Sequence, residues 1–360
     1  MPHPLIDSVT AHARMFVKLR RELQSSSERD LADFRTSDLV AARLEQWGYK
    51  VERGVGGGVV AQLRRGRSTK RLGLRADMGA APLRQAALQG GQGAFGHTAM
   101  LLAAAHYLAR QGDFCGTLNL VFQPADEGQG GARRMVEEGL FTRYPCDAIY
   151  AMHHMPGQPQ GRLLLRDGPA MASCDDITIT LHGAADPLVA GAAIVMGLQG
   201  IVARNVDPLQ MVVVQMEAFE AGRADPAQPR TATLQLSVRA LDRGVRDTVQ
   251  RRITALAELQ ALSYGVQATV DYRRQAPVLV NSAGETEFAR QVAAELLGPG
   301  QVELLPHTLA GSDDFAYMLE RVPGSYLQIG SGDSPGQDFN DDNLPVGAAY
   351  WAMLAQCYLH

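Results

Sequence analysis

The chain is poor in the features that mark several large protein classes. Its 360 residues carry 34 Lys and Arg against 38 Asp and Glu, a formal charge of −4, and no basic block. The electrostatic footprint of a nucleic-acid binder is therefore missing, and no nucleic-acid partner is expected. The four cysteines, Cys115, Cys146, Cys174 and Cys357, are scattered, and none stands in a CxxC arrangement. Reduced thiols in a cytoplasm are the simplest expectation. No apolar run is read as membrane-spanning, so no membrane partner is expected. The start, Met1-Pro2-His3-Pro4-Leu5, lacks the charged-then-apolar layout of a signal peptide.

What is present is ordinary globular material, with 46% hydrophobic and 20% charged residues, and a length that suggests two domains. One stretch, Val121 to Phe141, organises the rest. An apolar run from Thr117 to Phe122 reads as a buried strand ended by Pro124. Two adjacent carboxylates, Asp126 and Glu127, follow at once. A Gly-rich turn then leads into a short helix stopped by Gly139. This order places both carboxylates at the C-terminal edge of a sheet, where open α/β sheets carry their sites.

Helical spacing of Leu5, Val9, Phe16, Leu19 and Leu23 predicts one amphipathic helix, and a second runs from Thr36 to Trp47. Strands are expected within 51–63, at 71–76 and at 147–152, the last ending at His153 and His154. A loop is expected over 81–94 and an apolar helix over 98–108. Strands alternating with helices imply a mostly parallel α/β sheet. From about 175 to 280 the pattern changes to β-α-β-β-α-β, the order of a split βαβ, ferredoxin-like unit. A helix at 286–297, a strand at 326–329 and a helix at 345–358 then return to the first domain. The expected fold is thus α/β: a parallel-sheet domain over 1–174 and 281–360, with an inserted α+β domain over 175–280.

Seven segments add a family signal. In order they are Leu74-Arg75-Ala76-Asp77-Met78, Gly96-His97-Thr98-Ala99-Met100, Phe122-Gln123-Pro124-Ala125-Asp126-Glu127-Gly128, Met152-His153, Gly168-Pro169-Ala170-Met171-Ala172-Ser173, Ser312-Asp313-Asp314-Phe315 and Asp338-Phe339-Asn340-Asp341. Together they resemble the M20 metallopeptidase family, in its N-acyl-amino-acid and indole-acetyl-amino-acid amidohydrolase (hippurate-hydrolase-like) branch. The resemblance implies a catalytic-type domain with an inserted dimerisation domain. It also implies two divalent metals that activate a shared water for amide hydrolysis.

Carried over position by position, the implied ligand set is depleted. The family's Cys-Gly-His-Asp-Gly-His motif puts its cysteine ligand on Gln92, its histidine ligand on Ala94 and the following aspartate on Phe95. The Glu-Glu pair falls on Asp126, as general base, and Glu127, as ligand. His153 matches a histidine ligand, and Asp333 stands where a C-terminal histidine is expected. Most of the loop that supplies an oxyanion-stabilising histidine is deleted around Leu181 to Pro187, and His182 is not its aligned replacement. The family's substrate-side asparagine falls on Pro226.

The expectation is therefore a vestigial, unoccupied metal site at Glu127 and His153. No cofactor is expected, or at most one weakly bound zinc or manganese ion. Asp126 and Glu127 are candidate catalytic residues, read either as relics or as a metal-free acid/base pair. His153, His154, Phe95 and Met171 are candidate substrate-binding residues. His97 is read as structural. Asp77 either caps locally or orients a metal-side group, as the resemblance has it. Three functions stay open: an altered hydrolase of an N-acyl-amino-acid-like amide, a non-catalytic ligand-binding or regulatory pseudoenzyme, and a metal-independent enzyme using Asp126, Glu127 and His153. A homodimer through the inserted domain is expected, a partner homologue being the alternative.

Overall fold

The structure is a computed structural model that describes residues 3–25, 35–79, 93–124, 130–183, 185–222, 230–332 and 339–360. Asp126, Glu127, Gln92, Pro226 and Asp333, together with most of the expected 81–94 loop, lie outside the described residues.

Fourteen strands are described: β1 (Lys50–Val55), β2 (Gly58–Arg65), β3 (Arg71–Asp77), β4 (Gly116–Gln123), β5 (Ala148–Met155), β6 (Leu163–Leu165), β7 (Gly168–Met171), β8 (Cys174–His182), β9 (Val212–Gly222), β10 (Thr231–Ala240), β11 (Gln267–Ala276), β12 (Leu279–Asn281), β13 (Val302–Leu304) and β14 (Gly324–Gly330). The α-helices are α1 (Pro4–Thr10), α2 (Ala13–Ser25), α3 (Arg35–Gln46), α4 (Ala94–Gln111), α5 (Gly131–Glu137), α6 (Leu140–Arg143), α7 (Pro187–Asn205), α8 (Arg243–Ser263), α9 (Ala283–Leu297), α10 (Ala316–Leu319) and α11 (Asn343–Leu359).

The chain divides into two compact units. One comprises Met1–Ala170, Val280–Thr308 and Asp313–His360; the other comprises Met171–Leu279 and Leu309–Ser312. The first is built on an eight-stranded sheet of order β1-β2-β4-β3-β5-β14-β6-β13. Its middle is parallel, β4 with β3, β3 with β5 and β5 with β14. Central parallel strands are covered on both faces and so read as continuous apolar runs. Accordingly β3 is buried from Leu72 to Asp77 and β4 from Leu118 onward. The price of that burial falls on the polar residues that β3 carries, Arg75 and Asp77, each of which must find partners inside.

Helix α4 runs through this core, with Ala99 to Ala105 and Leu108 buried. It begins at Ala94, earlier than the apolar periodicity indicates. The single helix expected over Leu5–Leu23 is two, α1 and α2. Leu5 and Val9 belong to α1, which packs mainly on α11, while Phe16, Leu19 and Leu23 belong to α2, which packs mainly on α4. A turn at residues 11–12 divides them. Gly139, at φ +88°, lies between α5 and α6 in the left-handed conformation that suits a helix-ending glycine.

The second unit is a four-stranded antiparallel sheet of order β11-β8-β10-β9 with α7 and α8 packed on it. Its element order is β-α-β-β-α-β, the split βαβ arrangement. Ile177, Ile179 and Leu181 alternate inward along β8 and meet Ala190, Ile194 and Leu198 of α7 in the core. Asp186 caps α7, accepting the Leu188 amide at 3.1 Å, and Pro187 follows at the first helical position. Among the described residues, α7 is the one helix long and apolar enough to cross a membrane by length and composition, which corrects the reading that no such run exists. Its many Ala, Val, Ile and Leu residues raise its hydropathy, while one face packs on the sheet.

Candidate functional site

Because β3, β4, β5 and β14 are parallel, their C-terminal ends lie at one edge of the sheet. Asp77 is registered opposite Gln123, and His153 and His154 opposite Gln328 and Ile329. The start of α4 comes to the same place. There His97 forms a buried pair with Asp77, its Nδ1 2.7 Å from Asp77 Oδ1. Thr98 reinforces the contact by donating its hydroxyl to the Asp77 carbonyl at 2.7 Å. The His97 Nε2 atom receives the His154 backbone N–H at 2.9 Å and lies 3.0 Å from His154 Nδ1. His153 completes the group, its ring centroid 4.1 Å from that of His97 and 5.1 Å from that of His154.

Two glycines make room for these rings. A Cβ on Gly93 would fall 1.8 Å from His154 Cε1, and a Cβ on Gly96 would fall 2.1 Å from Phe339 Cγ. Phe339 in turn packs edge-on against His97 and His154, with centroids at 6.2 and 6.0 Å. Tyr326 stacks beside His153 at 6.3 Å. Gln328 presents a buried amide oxygen with no hydrogen-bond partner among the described residues.

Behind the histidines lies a charged network. Arg75 donates to Gln123 Oε1 at 2.9 Å and stands 3.4 Å from both Asp313 and Asp314 and 3.8 Å from Asp77. Gln123 donates to Asp314 Oδ1 at 2.7 Å, and the Ala132 amide donates to Asp314 Oδ2 at 2.9 Å. Burial raises the Asp314 carboxyl, against the opposing pull of Arg75. Burial also acts to raise Asp77, but His97 and then Arg75 outweigh it and hold this carboxyl well below the usual range. Burial lowers His97, and with His153 and His97 nearby it drives His154 down to about 2. The geometry suits an Asp77 carboxylate accepting Nδ1–H from His97, whose Nε2 lone pair accepts the His154 backbone N–H.

The sequence-derived candidates separate here. The structure brings His153 and His154 together. Phe95 is buried in the hydrophobic core, and Met171 belongs to the second unit, where it is buried and bridges to Leu309. Asp126 and Glu127 lie outside the described residues. His97 was read as structural, and Asp77 as a cap or an orienting group; their contact spans 20 positions and joins them to the cluster. The signal for His97 was its place in Gly96-His97-Thr98, but nothing local says which strand end it meets.

Among the described residues, His97, His153 and His154 form a group able to hold a metal ion, with candidate ligand atoms all within 4.8 Å of one another. An expectation of no metal thus finds no support in the donor chemistry. Three imidazoles suit a borderline ion such as zinc.

Fold and site together define an amidohydrolase-type α/β scaffold. The family model for peptidase family M20/M25/M40 matches residues 73–356. A hippurate hydrolase of Campylobacter jejuni is 36% identical over 370 aligned residues, covering 96% of each chain. IAA-amino acid hydrolase ILR1-like 6 of Arabidopsis thaliana is 31% identical, over 95% of this chain and 80% of its own. The YxeP protein of Bacillus subtilis, described as a dinuclear metal binding peptidase from the M20 family, matches with a TM-score of 0.79 at 27% identity, over 97% and 99% of the two chains. The chain belongs to peptidase family M20, on its hippurate-hydrolase-like side.

Proposed function

We propose that the chain binds a small N-acyl-amino-acid-like amide at the C-terminal edge of the parallel sheet and has lost ordinary two-metal hydrolysis. The observation that carries this reading is the start of α4. Ala94 and Phe95, where the family resemblance puts a histidine ligand and an aspartate, are both buried and apolar. An alanine supplies no donor atom, and the benzyl side chain of Phe95 lies in the core. Gln92 for cysteine and Asp333 for histidine weaken the set further.

A divalent ion in such a site supplies Lewis acidity and an acidified water. The chain's own residues supply the rest. Asp77 fixes the His97 tautomer, Gln328 offers an acceptor to a ligand N–H, and Tyr326 and Phe339 give apolar walls beside the imidazoles. At most one ion is held, and weakly. Removing even one oxyanion donor costs about 100- to 1000-fold in rate, and most of the loop that the resemblance implies should carry one is missing here as well. Asp126 and Glu127 remain the candidate proton-handling pair, with His153 and His154 beside the ligand.

Assembly follows from the second unit. Leu188, Val189 and Met196 of α7 are 51, 47 and 73% exposed, and β9 is the outer strand of its sheet, with Val213 and Phe219 exposed. An apolar helix face beside an open strand edge suits a two-fold homodimer. The four free cysteines suit a reducing cytoplasm.

The test is hydrolysis of hippurate and N-acetyl amino acids by protein purified without a metal-chelating resin, with and without added zinc, manganese or cobalt, alongside calorimetric binding of the same amides. Binding without chelator-sensitive turnover is expected. Turnover that stops on chelation and returns with metal overturns the reading.

A further inference from the structure

We propose that His97, His153 and His154 hold a single borderline divalent cation, of the zinc, cobalt or nickel kind, in a ligand set relocated from the one the family resemblance implies. The inference deepens the functional reading and rests on it in one respect: one ion takes the place of two.

The carrying observation is where the His154 ring lies. It is seated against the backbone of Gly93, so closely that a Cβ there would fall 1.8 Å from Cε1 and 2.1 Å from Nδ1. Gly93 is the residue before Ala94, the position of the missing histidine ligand. Strand β5 thus delivers an imidazole to the start of α4, beside the residue whose own imidazole is gone. His153, the one surviving imidazole of the implied set, is the preceding residue on the same strand. His97 provides the third nitrogen.

The orientation of His97 is independent of that argument. Asp77 holds its Nδ1 at 2.7 Å, which leaves Nε2 as the lone-pair donor; that lone pair now accepts the His154 backbone N–H at 2.9 Å, a contact an entering ion has to displace. A carboxylate on the far nitrogen of a metal-bound histidine is the usual supporting contact, and it fixes both tautomer and ring direction. The three candidate donor atoms already lie within 4.8 Å of one another. Nitrogens bound to one zinc at 2.0–2.1 Å in a tetrahedron are about 3.3 Å apart. The 3.0 Å between His97 Nε2 and His154 Nδ1 is close to that spacing, and the pair becomes two donors once His154 carries its hydrogen on Nε2.

The chemistry selects the ion. Three neutral imidazoles disfavour magnesium, calcium and manganese, which seek oxygen. His97 and His154 are buried while His153 is half-buried, so solvent reaches the set at His153.

The experiment uses full-length protein stripped with EDTA and titrated with CoCl2 and ZnCl2. Calorimetry reads the stoichiometry, and visible absorption reads the geometry of bound cobalt. One ion per chain is expected, with tetrahedral cobalt bands. His154→Ala and His153→Ala should abolish the bands and weaken zinc binding more than the 10–100-fold typical of losing a supporting contact. Asp77→Asn should weaken it about 10–100-fold. His12→Ala, in a separate aromatic cluster, should change nothing. Because His153 is half-buried, its variant retains a folded protein if the buried His154 variant does not, as circular dichroism without metal will show. Zinc binding unchanged in His154→Ala, or no binding by the wild type, overturns the inference and leaves the functional reading intact. Two tightly bound ions per chain contradict that reading instead.

Discussion

Asp77 and His97 form a buried hydrogen-bonded pair, carboxylate oxygen to Nδ1 at 2.7 Å, that joins the end of β3 to the start of α4. The pair faces two ways. Toward Arg75 it is part of a network in which one guanidinium serves Asp77, Asp313 and Asp314. Toward β5 it presents the His97 Nε2 atom to His154. The scaffold and the candidate site therefore share one carboxylate, and its removal should register in both.

Asp77→Ala should lower stability by about 3 kcal/mol or more, because it leaves His97 unoriented and Arg75 with less buried countercharge. Urea unfolding followed by circular dichroism checks this, and a loss under about 1 kcal/mol would show that the network closes without Asp77.

Gly96→Ala should destabilise by about 1–3 kcal/mol through overpacking, since its Cβ would fall within 2.1 Å of the Phe339 ring. Phe339→Leu in the same chain should recover part of the loss, as coupled neighbours do. Strictly additive losses in the double variant would place the strain elsewhere.

The layout of sheet, helices and second unit was legible because buried parallel strands such as Thr117–Phe122 and capped helices such as Pro187–Asn205 carry local signals. The three-residue strands Leu163–Leu165 and Val302–Leu304 were not, being too short to show a period. At the site, His153 and His154 were legible from the strand end that bears them. The pairing of His97 with Asp77 was not, because it depends on which parallel strands are neighbours. Nor was the seating of His154 on Gly93, which is a matter of packing across 61 positions.

His106, on α4, packs among Trp47, Phe16 and His12, with centroids at 5.1, 5.7 and 5.2 Å. Burial, then Arg110 and His12, push its pKa down to about 4 from 6.5. The folded state thus disfavours a proton that the unfolded chain takes up below about 6.5. Its contribution is complete above pH 6.5 and is lost as the pH falls toward 4, on the order of 2–3 kcal/mol in all. His106→Leu should flatten that part of the melting-temperature profile between pH 6.5 and 4; an unchanged slope would assign it to other groups.

In the second unit, Asp175 is buried and accepts from Arg246 Nε at 3.0 Å and from the Tyr272 hydroxyl at 2.6 Å. Asp175→Ala strands a buried guanidinium and should cost about 3–5 kcal/mol, read by chemical unfolding. A loss below about 1 kcal/mol would show that the arginine finds water or another acceptor.

The central proposal is that this M20 chain holds one ion where the resemblance implies two. Native mass spectrometry of the intact protein, after saturation with zinc and removal of free metal, counts ions per chain directly. No more than one zinc per chain is predicted. A population carrying two, retained through buffer exchange and removed only by a strong chelator, would contradict it.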